Sequence, residues 1–303
     1  MSRRGVIAIV VASVAVVLGA AALVWSWTST ADRASAPRDV AQVYLTALEQ
    51  GDIDTIQEVR RGSLSPLAID AFAGADHIVD ARIDDVVVDG DEGAVTASAE
   101  LAGERRPLQF AVIGDSDGWK VAGDDLGELS ASTTPGAAVT MGDAVVEADT
   151  VVDVLPAVYP VVAVPEEVLS GRTDAAITPQ QTVHVVVETE LAAGAVDAVQ
   201  RAVDAWAEAC TVSAQSVPAS CGFDVPWPAD FTSIASIDYR IDAYPSVADL
   251  GVDGVLVASD GVLVATVRGQ AREGDEPRTY RTDDWMMRGA ITFDGAQLVI
   301  RAF

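Results

Sequence analysis

The chain is poor in basic residues. Its 303 residues include no asparagine and a single lysine, Lys120, and 19 basic residues stand against 46 acidic ones, giving a formal net charge of −27. The dense basic stretch at residues 268–288 is interrupted by Asp and Glu, whereas a phosphate backbone is bound by a continuous basic stripe. The composition therefore excludes nucleic acid as an expected partner and predicts a dispersed acidic surface that keeps the protein in solution.

The motifs of the common hydrolases and nucleotide-binding enzymes are also missing. The sequence contains no G-x-S-x-G, no H-E-x-x-H and no P-loop. Two acidic stretches, residues 89–93 and 115–118, lack the spacing that distributes oxygen ligands around Ca²⁺, and we interpret both as hairpin turns. We therefore expect no metal, no cofactor and no enzymatic activity.

Only two cysteines are present, Cys210 and Cys221, eleven positions apart. A redox pair needs a C-x-x-C spacing, and a structural metal site needs more ligands than these two thiols. In an oxidising compartment the pair is predicted to form a structural disulfide that closes a small loop.

The longest hydrophobic run, residues 5–27, contains no charged side chain. At about 1.5 Å per residue such a helix is about 34 Å long, enough to cross a bilayer core of about 30 Å. Two arginines precede the run and two tryptophans close it: Arg3, Arg4, Trp25 and Trp27. The sequence predicts a cytoplasmic tip and single-pass anchor in residues 1–27, with the cell-membrane bilayer as its partner and the bulk of the chain extracytoplasmic.

A cleaved signal peptide is the alternative for this segment, because residues 34–36 have the small-x-small form that signal peptidase prefers. The apolar run is longer than the about 7 to 15 residues of a signal-peptide core, which favours an uncleaved anchor. No cysteine directly follows the run, which argues against a lipid-modified N-terminus. Both alternatives place the bulk of the chain outside the cytoplasm.

Changes in hydrophobic period divide the rest of the chain. Residues 28–36 are small and polar and are interpreted as a stalk, and residues 129–137 are interpreted as a linker. The units between them are an α+β domain at 37–128, a β-rich segment at 138–193 and a second α+β domain at 194–303. The first domain is predicted to contain three helices followed by an antiparallel meander of about four strands.

The second α+β domain repeats this order of elements. Gly194 precedes a predicted helix that ends near Cys210, and strands follow the cysteine loop. Asp-Gly pairs at 260–261 and 294–295 predict hairpin turns. The expected fold class is therefore α+β, with two cone-like domains of helices and antiparallel sheet and a small β segment between them.

Two motifs of the first domain resemble those of a known family. The stretch Val43–Asp52 (VYLTALEQGD) resembles the opening helix of small bacterial lipoprotein domains with the nuclear-transport-factor-2-like, or cystatin-like, cone fold. Gly118–Val121 (GWKV) is similar to their closing strand. The resemblance covers residues 37–128 and implies that fold for them, but it implies no particular activity.

Two histidines are the candidates for acid–base chemistry. His77 lies beside Asp76 at the start of a predicted strand, and His184 shares a strand face with Glu188. A carboxylate beside either imidazole would suit a general base. A surface or structural histidine is the simpler interpretation of both.

The expected function is binding without catalysis, of an envelope protein or a small ligand, by domains anchored at the bacterial cell envelope. A proline-bounded loop after the cysteines supplies a candidate contact surface in Phe223, Trp227 and Phe231. Two alternatives stay open: an enzyme whose cone cavity holds a His/Asp acid–base group, and a structural spacer in an envelope assembly.

Overall fold

The computed structural model describes residues 36–248, 250, 254–274 and 277–303. Over this part the chain is an α+β protein, with four α-helices and nineteen strands. None of the helices in the described residues has the length and apolarity needed to cross a bilayer. The predicted tip and anchor at 1–27 lie outside the described residues, as does the predicted stalk up to residue 35.

Three helices open the described chain, as the sequence predicts: α1 (Pro37–Gln50), α2 (Ile53–Val59) and α3 (Pro66–Ala73). Helix α1 ends at Gly51, whose left-handed φ of 68° suits glycine. The side chain of Asp52 accepts a hydrogen bond from the amide of Thr55 and so caps α2. Ser65 caps α3 in the same way through the amide of Ala68.

The predicted antiparallel meander is confirmed. It consists of β2 (Val79–Asp89), β3 (Glu92–Leu101), β4 (Glu104–Asp115) and β5 (Gly118–Val121), hydrogen-bonded in that order. Both acidic stretches are hairpin turns, because Asp89 pairs with Glu92 and Asp115 pairs with Gly118. Helix α1 packs against this sheet through an apolar face that includes Tyr44.

Ten short strands form the sheets of the middle segment, with β1 contributed by the first domain. They are β1 (Asp76–His77), β6 (Gly127–Thr134), β7 (Ala138–Met141), β8 (Ala144–Glu147), β9 (Val152–Val154), β10 (Ala157–Val164), β11 (Leu169–Ser170), β12 (Arg172–Ile177), β13 (Thr182–Glu188) and β14 (Glu190–Leu191). One sheet has the order β1-β10-β7-β8 with β12 also on β10, a second has the order β13-β6-β9, and β11 pairs with β14.

The linker expected at 129–137 is instead strand for most of its length. Residues up to Thr134 belong to β6, which pairs in parallel with β13 and antiparallel with β9. Leu129 and Ala131 are fully buried on its inner face. The small polar composition suggests a linker, but in this sheet the polar side chains have hydrogen-bonding partners. The hydroxyl of Thr133, for example, hydrogen-bonds that of Thr189 at 2.7 Å.

The first domain and the middle segment are joined through β1. Asp76 pairs with Val158 and His77 with Ala157 of β10. Helix α3 also contacts β8, β9 and β10. The approach is close at Gly142, which has a φ of 57°, because an added Cβ would lie 2.0 Å from the carbonyl oxygen of Ala71.

The C-terminal part consists of one helix and a long antiparallel sheet. Its elements are α4 (Ala195–Cys210), a 3₁₀ turn (Trp227–Ala229), β15 (Phe231–Ala243), β16 (Ser246–Val247), β17 (Val255–Ala271), β18 (Arg278–Asp294) and β19 (Gln297–Ala302). The sheet order is β15-β17-β18-β19, with β16 also on β17. Helix α4 buries an apolar face with Val199 and Val203 at its centre, as its periodicity predicts.

One of the two predicted Asp-Gly hairpins is wrong. Asp260 and Gly261 lie inside β17, which continues through them with a shift of register against β18. Asp260 takes a φ of 62°, and an added Cβ at Gly261 would lie 2.7 Å from the ring of Pro245, so the pair forms a bulge rather than a turn. The second hairpin is confirmed between β18 and β19, where Asp294 pairs with Gln297.

Candidate functional site

The principal candidate site is a cavity of about 590 Å³ between the middle segment and the C-terminal sheet. Its volume falls within the about 300–1,000 Å³ typical of small-molecule pockets. The wall is mainly apolar and is drawn from β11, β14, β18 and neighbouring loops. The lining residues are Pro135, Val168, Leu169, Thr189, Glu190, Leu191, Leu250, Gly254, Ile291 and Phe293.

The pairing of β11 with β14 builds one wall. Leu169 lies opposite Leu191 and Ser170 opposite Glu190, and the amide of Ala192 donates a 2.9 Å hydrogen bond to the carbonyl oxygen of Val168. Leu169 is almost fully buried, whereas 42% of Leu191 is exposed. Leu191 therefore lies at the mouth of the cavity and Leu169 deeper inside.

Gly254, just before β17, and the end of β18 build the facing wall. Ile291 pairs with Ile300 and Phe293 with Leu298 across the β18–β19 hairpin, and both lining side chains are half-buried. The amide of Ile291 donates a 2.7 Å hydrogen bond to the carbonyl oxygen of Gly254. Gly254 has a φ of 71°, and an added Cβ would lie 3.2 Å from the oxygen of Ile291, so glycine keeps the two chains close.

Among the described lining residues, Thr189 and Glu190 carry the polar side chains. The hydroxyl of Thr189 is engaged within the protein, because it hydrogen-bonds Thr133 and the carbonyl oxygen of Val187. Glu190 is exposed at the rim, and no cation of the described chain forms a salt bridge with it. Among the described lining residues, the Glu190 carboxylate is the one titratable group, and it is placed to orient a ligand at the rim.

His77 is a structural residue rather than an exposed loop histidine. Its ring is half-buried, and its Nε2 donates a 3.1 Å hydrogen bond to the carbonyl oxygen of Phe72. The imidazole packs on the Phe72 ring with centroids 4.5 Å apart, and it lies so close to Gly51 that a Cβ there would be 2.2 Å from its Cε1. Asp80, the other acidic residue near it in sequence, forms ion pairs with Arg82 and Arg105 instead.

His184 lies on the exposed face of β13, away from the cavity lining. Its Nδ1 is 3.0 Å from the hydroxyl of Ser130 and its Nε2 is 3.3 Å from that of Ser132, both on β6. A serine nucleophile needs a base whose second nitrogen is oriented by an acid, and here that nitrogen contacts a serine hydroxyl. The two candidate histidines are not brought together, and neither lines the cavity.

The interior of the first domain holds a buried polar cluster. Arg60 donates to Asp125 through Nε at 3.2 Å and through Nη2 at 2.9 Å, and the hydroxyl of Tyr44 donates to the same carboxylate at 2.7 Å. Asp125 and Tyr44 are fully buried. Burial, followed by the neighbouring Asp125 carboxylate, raises the pKa of the Tyr44 hydroxyl well above its usual range. Arg60 Nη1 donates to the carbonyl oxygen of Gly62 at 3.0 Å, so the buried polar groups of this cluster are paired, as a structural network requires.

The predicted disulfide between Cys210 and Cys221 is confirmed. Of the three aromatic residues of the predicted contact loop, Phe231 is not available at the surface, and Phe223 and Trp227 are partly buried. Phe231 is fully buried, and Phe223 packs edge-on against Trp285 with ring centroids 5.6 Å apart. Trp227 is half-buried in a small apolar cluster. These rings stabilise the loop because removing aromatic surface from water is favourable in free energy.

No pattern in the sequence predicts which residues line the cavity. Leu191 belongs to the two-residue strand β14, which is separate from β13 because β13 ends at Glu188. Nothing in the sequence associates Leu191 with Phe293, about a hundred positions later. Within the described residues, no group of three or more His, Cys, Asp or Glu side chains is arranged to hold a metal ion.

No protein-family model, curated protein or solved structure matches the chain.

Proposed function

We propose that the protein is a non-catalytic binding protein of the bacterial cell envelope that takes a small apolar ligand into the cavity between β11–β14 and β18. The observation that carries the proposal is the cavity of about 590 Å³ with its mainly apolar lining. Apolar surface left open to water is costly, at about 25 cal/mol per Å², and an apolar ligand removes that cost when it enters.

In this proposal, residues 5–27 anchor the protein in the bilayer with the N-terminus in the cytoplasm, and the domains lie outside. The uncharged run of residues 5–27 and the two arginines before it support this orientation. The disulfide supports an oxidising compartment for the rest of the chain. The strongly negative charge favours solubility of the exported part.

We also propose the cone fold of the nuclear-transport-factor-2-like family for residues 37–128. Three helices are followed by an antiparallel four-stranded sheet, and α1 lies on that sheet, which supports the proposal. For the C-terminal part, the cone-like assignment rests on the order of one helix followed by long antiparallel strands. The interior of the first domain is occupied by the Tyr44–Arg60–Asp125 cluster, so we assign the ligand to the cavity and not to a cone interior.

Photolabelling tests the proposal in the full chain. The protein is reconstituted in nanodiscs of zwitterionic lipid, exposed to a long-chain alcohol that carries a diazirine, irradiated, and analysed by peptide mass spectrometry. We expect label on peptides containing residues 189–191 and 291–293. Label confined to residues 5–27, or spread evenly over the surface, would contradict the proposal.

Two tryptophan variants sharpen the result. Leu191→Trp places bulk at the mouth of the cavity, where the native side chain is 42% exposed, and should lower the labelling of residues 291–293. Val186→Trp is the matched control, because Val186 is 64% exposed on β13 and does not line the cavity. Its labelling pattern should equal that of the native chain. Equal labelling in all three proteins would place the ligand elsewhere.

A further inference from the structure

Resting on the proposed function, we propose that the cavity selects a single-chain amphiphile with a cationic head group. The lining has a deep apolar end around Leu169 and an exposed mouth at Glu190 and Leu191. A ligand with one apolar end and one polar end matches this arrangement, because its chain fills the interior while its head group stays at the rim in contact with water.

The charge at the rim sets the sign of the head group. Glu190 is the only ionisable side chain among the described lining residues, which include no arginine, lysine or histidine. The strand that carries Glu190 is fixed by its pairing with Ser170, whose hydroxyl donates a 3.3 Å hydrogen bond to the Glu190 carbonyl oxygen. A carboxylate or phosphate head group would therefore meet a like charge, whereas an ammonium would meet an opposite one.

Among its described residues, the neighbouring depression contains one arginine, which already has an acidic partner. This depression of about 410 Å³ adjoins the cavity and shares Val168 with it. The arginine of that depression, Arg201, is paired with Glu167 at 3.0 Å. The formal net charge of −27 adds a field that concentrates cations near the protein and repels anions.

The other polar side chain of the lining does not oppose this selection. The Thr189 hydroxyl is held by Thr133 at 2.7 Å and donates to the Val187 carbonyl oxygen, so it is turned to the protein and not to an incoming head group. The discrimination between head groups is thus assigned to Glu190.

Competition against the photoprobe tests this inference. Dodecyltrimethylammonium, dodecanol and dodecanoate are compared as competitors in the nanodisc preparation, each below its micelle-forming concentration and with its free concentration measured by dialysis. The expected order of affinity is ammonium, then alcohol, then carboxylate. For each head group, affinity should rise about fourfold per added methylene between octyl and dodecyl chains, because each buried methylene contributes about 0.8 kcal/mol.

Two charge variants identify the residue responsible. Glu190→Gln should weaken binding of the ammonium compound by about two- to fivefold, the range for an exposed ion pair, and leave the alcohol unchanged. Glu188→Gln removes the same charge two residues away on β13, outside the lining, and should leave the order and the affinities as in the native chain. High salt should shrink the ammonium preference of the native chain.

The outcomes separate the two proposals. The inference is supported if the cavity is labelled and the competitors bind in the expected order. The preference for the ammonium compound should be lost in Glu190→Gln and kept in Glu188→Gln. Labelling at the cavity with dodecanoate binding as tightly as the ammonium compound overturns the cationic selectivity and leaves the binding function standing. An equal loss of ammonium affinity in both variants would show a general charge effect and would also overturn the role of Glu190. Absence of labelling at the cavity overturns the proposed function itself.

Discussion

The indole Nε1 of Trp285 donates a 2.7 Å hydrogen bond to the main-chain carbonyl oxygen of Cys221. Trp285 is fully buried in β18, so this bond fastens the disulfide loop to the centre of the C-terminal sheet. The contact is close, because an added Cβ at Gly222 would lie 1.8 Å from the carbonyl oxygen of Met286. The disulfide loop is thereby part of the packed core and not a loose surface turn.

The disulfide should account for about 3 kcal/mol of the free energy of unfolding, because it closes a short loop in the unfolded chain. Replacing Cys210 and Cys221 together by serine should lower the urea midpoint accordingly. Alkylation of the native, non-reduced protein followed by mass measurement should detect no free thiol, and reduction should expose two. Alkylation of both cysteines before reduction would refute the bond.

Removal of Arg60 should destabilise the protein much more than removal of its neighbour Arg61. Arg60→Met leaves the buried Asp125 carboxylate without its cation, which costs about 3–5 kcal/mol. Arg61 pairs with Asp115 at 2.6 Å, but both side chains are more than one third exposed, so Arg61→Met should cost less than about 1 kcal/mol. Chemical denaturation of the two variants measures the difference, and equal losses would contradict the structural role of the cluster.

Stability should fall as the pH rises above about 10. The pKa of each of the five tyrosines is raised in the folded protein, whereas an unfolded tyrosine has a pKa of about 10. Burial, followed by the hydrogen bond to Asp230, raises the pKa of Tyr280 to about 12. Above pH 10 the unfolded chain therefore binds fewer protons than the folded one, and stability declines.

Two measurements test the predicted loss of stability above about pH 10. Tyrosinate absorbance of the folded protein should rise later on the pH scale than that of the chain in concentrated denaturant. In Tyr280→Phe the loss of stability between about pH 10 and 12 should be smaller than in the native chain, because that proton is no longer involved. Ordinary titration of Tyr44 or Tyr159 in the folded protein would contradict the burial of that ring, whereas the raised pKa of the exposed Tyr244 depends first on its hydrogen bond to Glu208.

Substitution of His77 should destabilise the protein more than substitution of His184. His77→Ala removes a ring packed on Phe72 together with its hydrogen bond to that residue's carbonyl oxygen, and should cost about 1–3 kcal/mol. His184→Ala changes an exposed side chain of β13 and should stay within about 0.5 kcal/mol of the native stability. Thermal or urea unfolding compares them. A larger loss at His184 would reverse our assignment.

Local features of the fold were predictable from the sequence where one interaction decides the structure. The spacing of Val40, Tyr44 and Leu48 predicts α1, because a helix buries one face, and the two cysteines predict the disulfide because no other thiol is present. The Asp294–Gly295 turn follows from the same local chemistry.

Features decided by neighbours in space were not predictable. Asp260–Gly261 has the composition of a hairpin turn, but β17 has partner strands on both sides. Its pairing therefore continues past the bulge. The serines and threonines of β6 have the composition of a linker, but β13 supplies the partners that make them a strand. The cavity depends on Leu169, Leu191 and Phe293 meeting from distant parts of the chain, which no local pattern encodes.

The pairing of β1 with β10 bears on whether the first domain can fold apart from the middle segment. A fragment that ends at residue 128 would keep Asp76 and His77 but lose their hydrogen-bonding partners Val158 and Ala157. It would also uncover the end of α3 that now lies against Gly142. A fragment of residues 37–193 would retain all of these contacts, so it is a better candidate for an independently folding piece than residues 37–128.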